Sequence, residues 1–95
     1  MGEIRPEYQK ISLSILNNQV DFIEKNHINK SALTRKLLDK YLREGAKGNV
    51  FKEGEHTKIS VIIRKDQAMI LEERLIEKSD LMKDLIYEWM KEQGA

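Results

Sequence analysis

The sequence predicts a mainly α protein with one two-stranded antiparallel β-ribbon, built from two strand–helix–helix units. Three observations carry this. Residues 10–16 ("KISLSIL") and 58–64 ("KISVIIR") are near copies in which apolar residues recur at every second position. Sliding the chain on itself by 48 residues aligns 10–44 with 58–92 without a gap, and 12 of the 35 positions are identical. Self-similarity of that length marks a repeated structural unit. After each near copy the apolar period lengthens from two to about 3.6, so a strand hands over to helices.

In the first strand Ile11, Leu13 and Ile15 alternate with Lys10, Ser12 and Ser14. In the second, Ile59, Val61 and Ile63 alternate with Lys58, Ser60, Ile62 and Arg64. Each strand therefore has one buried face. A short helix follows, with Asn17 or Asn18 as the expected cap of the first copy and Asp66 of the second. Val20 and Ile23 face inward, matched by Ala68 and Leu71. The stretch "HINKS" (27–31) predicts a turn, with Asn29 capping a second helix. That helix carries the stripe Leu33, Leu37, Leu38, Tyr41 and Leu42; its twin carries Leu81, Leu85, Ile86, Trp89 and Met90. Tyr41 and Trp89 lie on those stripes and read as core rather than as base-stacking platforms. His27 aligns with Leu75 and reads as a packing residue.

The units are 1–44, with a short N-terminal arm, and 58–95. Residues 45–57 form the linker, in which Gly45 stands where a helix C-terminus needs its cap. Val50 and Phe51 are expected to pack part of it down. A unit of this size buries too little to be stable alone, and a lone strand has two open edges. The expected solution pairs Lys10–Leu16 with Lys58–Arg64 inside one molecule, an intramolecular pseudo-dimer. The alternative pairs like strands between two chains.

Composition narrows the function. The chain has 95 residues, 40% of them hydrophobic and 35% charged, which fits a globular protein. It has no apolar run of about 18 residues, and the N-terminal stretch lacks the apolar segment of a signal peptide, so a cytoplasmic protein without membrane contact is expected. There is no cysteine, which excludes disulfides, thiolate chemistry and cysteine-held zinc. Two histidines without a carboxylate constellation, no nucleophile beside a base and no glycine-rich phosphate loop argue against an enzyme. No metal, cofactor or small-molecule substrate is expected. Net charge is +1, split as +2 over residues 1–44, 0 over 45–57 and −1 over 58–95. A polyanion partner would have to meet locally placed cations; an ordinary mixed-charge surface fits the totals equally well.

The free face of the ribbon would show Lys10, Ser12, Ser14, Lys58, Ser60, Ile62 and Arg64. A solvated ribbon can look like this. A two-stranded ribbon is also one of the few elements that enter the DNA major groove.

The two strands with basic and hydroxyl residues outward, each followed by a helix and an I-x-K-S turn ("INKSALTRKLL", "IEKSDLMKDLI"), resemble the ribbon-helix-helix transcription regulators, the family of the Arc and MetJ repressors and the plasmid copy-number repressors. The resemblance covers about 70 of the 95 residues. Most members carry one copy per chain and dimerise; the tandem form is similar to certain archaeal viral regulators, which would place the chain in a host cytoplasm. The resemblance implies that Lys10, Ser12, Ser14, Lys58, Ser60 and Ile62 read bases of an operator or promoter in double-stranded DNA. Ile62 departs from the polar pattern and would meet a thymine methyl. Arg64 would take a phosphate or a guanine. The second helices would aim their N-termini at phosphates, beside Lys30 and Ser31 in one unit and Lys78 and Ser79 in the other. Glu77 and Asp80 oppose phosphate at the second site, so an asymmetric footprint is expected. Arg5 would add an arm contact, and chains would self-associate on DNA. The basic run "TRKLLDK" reads as the solvated face of the second helix, from which Arg35 and Lys36 could add phosphate contacts. Repressor and activator remain open. Two other functions stay in view: an antitoxin-type regulator, although only "QGA" follows the second helix, and a protein-interaction or assembly module without DNA binding.

Overall fold

The computed structural model describes residues 7–45 and 54–94. The elements run β1 (Tyr8–Leu16), α1 (Asn17–Lys25), α2 (Lys30–Glu44), β2 (His56–Arg64), α3 (Lys65–Glu73) and α4 (Lys78–Glu92). β1 and β2 form a two-stranded antiparallel sheet in which Ser12 faces Ser60. Those two serines are also equivalents at the 48-residue offset, so the ribbon pairs each strand with the reverse of its own repeat. Both strands are two residues longer at the start than the alternation predicts. Tyr8 pairs with Arg64 and Leu16 with His56, so His56 and Thr57 belong to β2 rather than to the linker. The added ends are polar, and backbone pairing rather than an apolar face holds them. Val50 and Phe51 lie outside the described residues.

Alternation puts Leu13, Ile15, Val61 and Ile63 in the core, each at most 1% exposed. The short helices add Val20, Ile23, Ala68 and Leu71; the long ones add Leu33, Leu37, Leu38, Leu81, Met82, Ile86 and Trp89. Trp89 meets Phe22 edge to face, with ring centroids 5.5 Å apart. α2 packs against β2, and α4 against β1. Each strand thus rests on the second helix of the other repeat, so neither repeat closes a core alone.

Several ends differ from expectation. The cap positions of α1 and α3 fall on Leu16 and Arg64, not on Asn17, Asn18 or Asp66. Gln19 and Gln67, at the third helical position, reach back and accept the amides of Leu16 (3.1 Å) and Arg64 (3.0 Å). Asn17 turns to β2 instead, where its Oδ1 accepts the Thr57 hydroxyl. Asn29 caps α2 as expected, accepting from the Ala32 amide at 2.9 Å. Gly45 ends α2 at φ 79°, its amide donating to the Tyr41 carbonyl.

His27 does not pack. It sits exposed at φ 55°, as does Leu75. Its amide donates to the Glu24 carbonyl and that of Ile28 to the Ile23 carbonyl; Leu75 and Ile76 repeat the pattern on Glu72 and Leu71. This is the Schellman ending of a helix, whose left-handed residue points to solvent.

Candidate functional site

The solvent face of the ribbon is a ladder of cross-strand pairs: Tyr8 with Arg64, Lys10 with Ile62, Ser12 with Ser60, Ser14 with Lys58 and Leu16 with His56. Lys10, Ser12, Lys58 and Ser60 are exposed, Ile62 is 44% exposed, and Ser14 and Arg64 are half-buried. Among the described residues neither Lys10 nor Lys58 makes an ion pair. The ammonium groups of Lys10 and Lys58, the hydroxyls of Ser12, Ser14 and Ser60 and the apolar tip of Ile62 share this face.

The edges of the ribbon are fixed by the long helices. In an antiparallel pair the amides of alternate residues point away from the partner strand. On β1, the Ser14 amide donates to Ser79 Oγ at 2.9 Å; on β2, the Ile62 amide donates to Ser31 Oγ at 2.8 Å. Sequence places Ser31 and Ser79 at helix starts, where a phosphate contact was expected. The structure shows their hydroxyl oxygens accepting these strand amides, which ties the N-termini of α2 and α4 to the two edges. The Gln19 and Gln67 amide groups finish the lock, donating to the carbonyls of Lys83 (2.9 Å) and Arg35 (3.1 Å). Both glutamines are buried and sequence reasoning missed them. Their identity at the 48-residue offset was the available signal.

Two further groups reach the face. Arg35 Nη1 donates to the Ile62 carbonyl at 2.8 Å, and its guanidinium lies 5.6 Å from the Tyr8 ring centre. At the equivalent place Lys83 Nζ lies 3.0 Å from His56 Nε2. Arg64 is held rather than free. Its guanidinium forks onto Asp39 at 2.8 and 3.2 Å and also meets Asp66 at 3.1 Å. The hydrogen bonds to Asp39 and then Asp66 raise its pKa.

The helix N-termini are unequal. At α2, Lys30 pairs with Glu24 at 3.1 Å. At α4, Glu77 Oε1 accepts the Ser79 amide at 2.9 Å, so a carboxylate occupies the donor that an anion would use. Asp80 adds a second acid and pairs with Lys83 at 3.5 Å. Lys78 makes no ion pair among the described residues. Arg5 lies outside the described residues.

The Arg64 hydrogen bond holds the Asp39 carboxyl below its ordinary 3.8. A folded-state pKa below the unfolded value stabilises fully above about pH 4 and less as pH falls through the folded value. Thermal stability is therefore expected to drop on acidification below about pH 4, and Asp39→Asn to flatten part of that drop. Partial exposure keeps the effect modest. Melting curves at pH 2–6 check it; identical pH profiles for the two proteins would contradict it.

No helix of the described residues is long and apolar enough to cross a membrane. Comparison with protein families, with curated proteins and with solved structures finds no match to this chain.

Proposed function

We propose that this chain is a tandem ribbon-helix-helix transcription regulator, an intramolecular pseudo-dimer that reads double-stranded DNA by laying its ribbon in the major groove. The observation that carries the reading is a polar ribbon face with two lysines that make no ion pair among the described residues, held at both edges by the N-termini of the long helices. Groove readout uses donors displayed on an element that fits the groove, and a scaffold that fixes their positions favours it. Contacts that recur at the 48-residue offset support the pseudo-dimer: Ser31 with Ile62 and Ser79 with Ser14, Gln67 with Arg35 and Gln19 with Lys83. In this reading Lys10, Ser12, Lys58, Ser60 and Ile62 read bases, and Lys30 and Lys78 meet phosphates.

The test is footprinting of the pure protein on duplex DNA upstream of its own gene, at low and near-physiological salt. A discrete protected site that weakens as salt rises is expected, because phosphate contacts release counterions. No salt-sensitive duplex binding on that DNA or on random-sequence duplex would reject the reading. It would favour a protein-interaction module, which the acidic start of α4 supports.

Glu77 gives a second expectation. Glu77→Asn recreates the Asn29 type of cap and removes a charge from a phosphate site. Duplex binding is expected to tighten by about threefold to tenfold at low salt, with folding unharmed. Fluorescence anisotropy titrations check this, and weaker binding would show that α4 does not approach the phosphates.

A further inference from the structure

The two repeats share a backbone but not a surface, and the difference sits at their helix–helix turns. Leu75 is 91% exposed at φ 55°, a conformation that costs a leucine more than most residues. Its counterpart His27 adopts the same φ. The turn therefore does not require an apolar residue, and among the described residues Leu75 is left exposed. On the helix leading into the same turn, Met69 is 57% exposed where the first repeat has Asp21.

Charge differs in the same sense. Residues 21–36 carry four Lys/Arg and two Asp/Glu, a net +2. The equivalent residues 69–84 carry three and five, a net −2. Beside the first turn lies an open cleft of mixed lining. Two adjoining hollows of about 260 and 350 Å³ share Ile28, Trp89 and Gln93, with Phe22 and Leu33 among the apolar walls and Asn26, Asn29 and Lys36 among the polar ones. The chain thus carries an apolar knob on an acidic turn and a partly apolar cleft beside a basic one.

We propose that copies of this protein associate head to tail, with Leu75 of one copy seated in the Phe22–Ile28–Trp89 cleft of the next. The acidic surroundings of Leu75 then face Lys25 and Lys36. The inference rests on the unlike surfaces of the two turns, Leu75 in one and the cleft beside the other. It does not rest on DNA binding. The joined surfaces are different, so the contact is heterologous: each added copy leaves one knob and one cleft free, and the assembly grows in a line. One seated side chain makes a weak contact, and unlike charges make it salt-sensitive.

The test is sedimentation velocity of the full chain without DNA, over a wide concentration range at low and high salt. The mean mass is expected to rise with concentration without stopping at a dimer, and high salt is expected to suppress the rise. Leu75→Asn removes the knob and keeps a residue that tolerates φ 55°; the association constant is expected to fall about tenfold or more. Ala32→Glu, at an exposed position lining the cleft, is expected to do the same. Mixed in equal amounts, the two variants have one working knob and one working cleft between them, so the mixture is expected to form dimers and nothing longer. Circular dichroism confirms that both variants fold. A wild type that stays a single monomeric species overturns the proposal. So does a Leu75→Asn protein that associates like the wild type, or a mixture that fails to dimerise. Footprinting reports on DNA separately, so failure of one reading leaves the other standing.

Discussion

Gln67→Ala is expected to lower the unfolding free energy by about 2–4 kcal/mol. Gln67 is 0% exposed. Its Oε1 accepts the Arg64 amide at 3.0 Å, and its Nε2 donates to the Arg35 carbonyl at 3.1 Å and to Asp39 Oδ1 at 3.0 Å. Truncation leaves a cavity and takes a hydrogen-bond partner from three polar groups at once, of which Asp39 keeps its Arg64 bonds. Two of them belong to α2 and one to the end of β2, so the loss falls on the joint between the repeats. Gln67→Met fills the space without the hydrogen bonds and is expected to lose less than alanine. Gln19 makes the equivalent bonds to Leu16 and Lys83. Its counterpart of Asp39 is Tyr87, and among the described residues it makes no third bond of that kind. Gln19→Ala is therefore expected to cost less than Gln67→Ala. Urea unfolding of the four proteins checks the order. A loss below about 1 kcal/mol for Gln67→Ala would mean that water replaces the side chain freely.

What the sequence disclosed, and what it hid, follows from the range of each interaction. Periodicity is local, so both strands, all four helices and most of the buried stripe were legible. Asn29 and Gly45 were legible too, because capping chemistry acts within one turn. The edge locks were not, because Ser31 bonds a strand amide 31 residues away and Ser79 one 65 residues away. A serine at a helix start has two uses, phosphate contact and side-chain bonding, and a linear reading cannot choose between them. The repeat itself held more than was drawn from it. Gln19 and Gln67 are identical polar residues between apolar positions, the signature of a buried hydrogen-bonding group. Asp39 and Arg64 stand where the other repeat has Tyr87 and Leu16, so both members of the ion pair change together. Read as a coupled exchange, that would have warned that Arg64 is engaged. His27 was misread because its partner in the alignment, Leu75, looks like a core residue; the left-handed turn sends both side chains outward.

Lys10→Ala/Lys58→Ala is expected to weaken binding to the protein's own target by roughly one and a half to four orders of magnitude, if each lysine contributes a base contact worth about 1–3 kcal/mol. Both residues are exposed and carry no ion pair among the described residues, so folding stability is expected to change by less than about 0.5 kcal/mol. The informative quantity is the ratio of target to random-sequence affinity at one salt concentration. Base-reading lysines make that ratio collapse, because random DNA loses only their charge. Phosphate-binding lysines leave the ratio intact, lower both affinities alike and reduce the salt slope by about two. In that event readout falls to Ser12, Ser60 and Ile62, and Ile62→Ala would relax preference at the positions that its side chain meets. Lys30→Ala is the companion measurement, since a phosphate contact at the start of α2 should weaken every sequence equally. Unchanged affinity for the double variant on any duplex would remove the ribbon from the interface. The polar face would then be a solvated one, and the strands would serve only to join the two repeats.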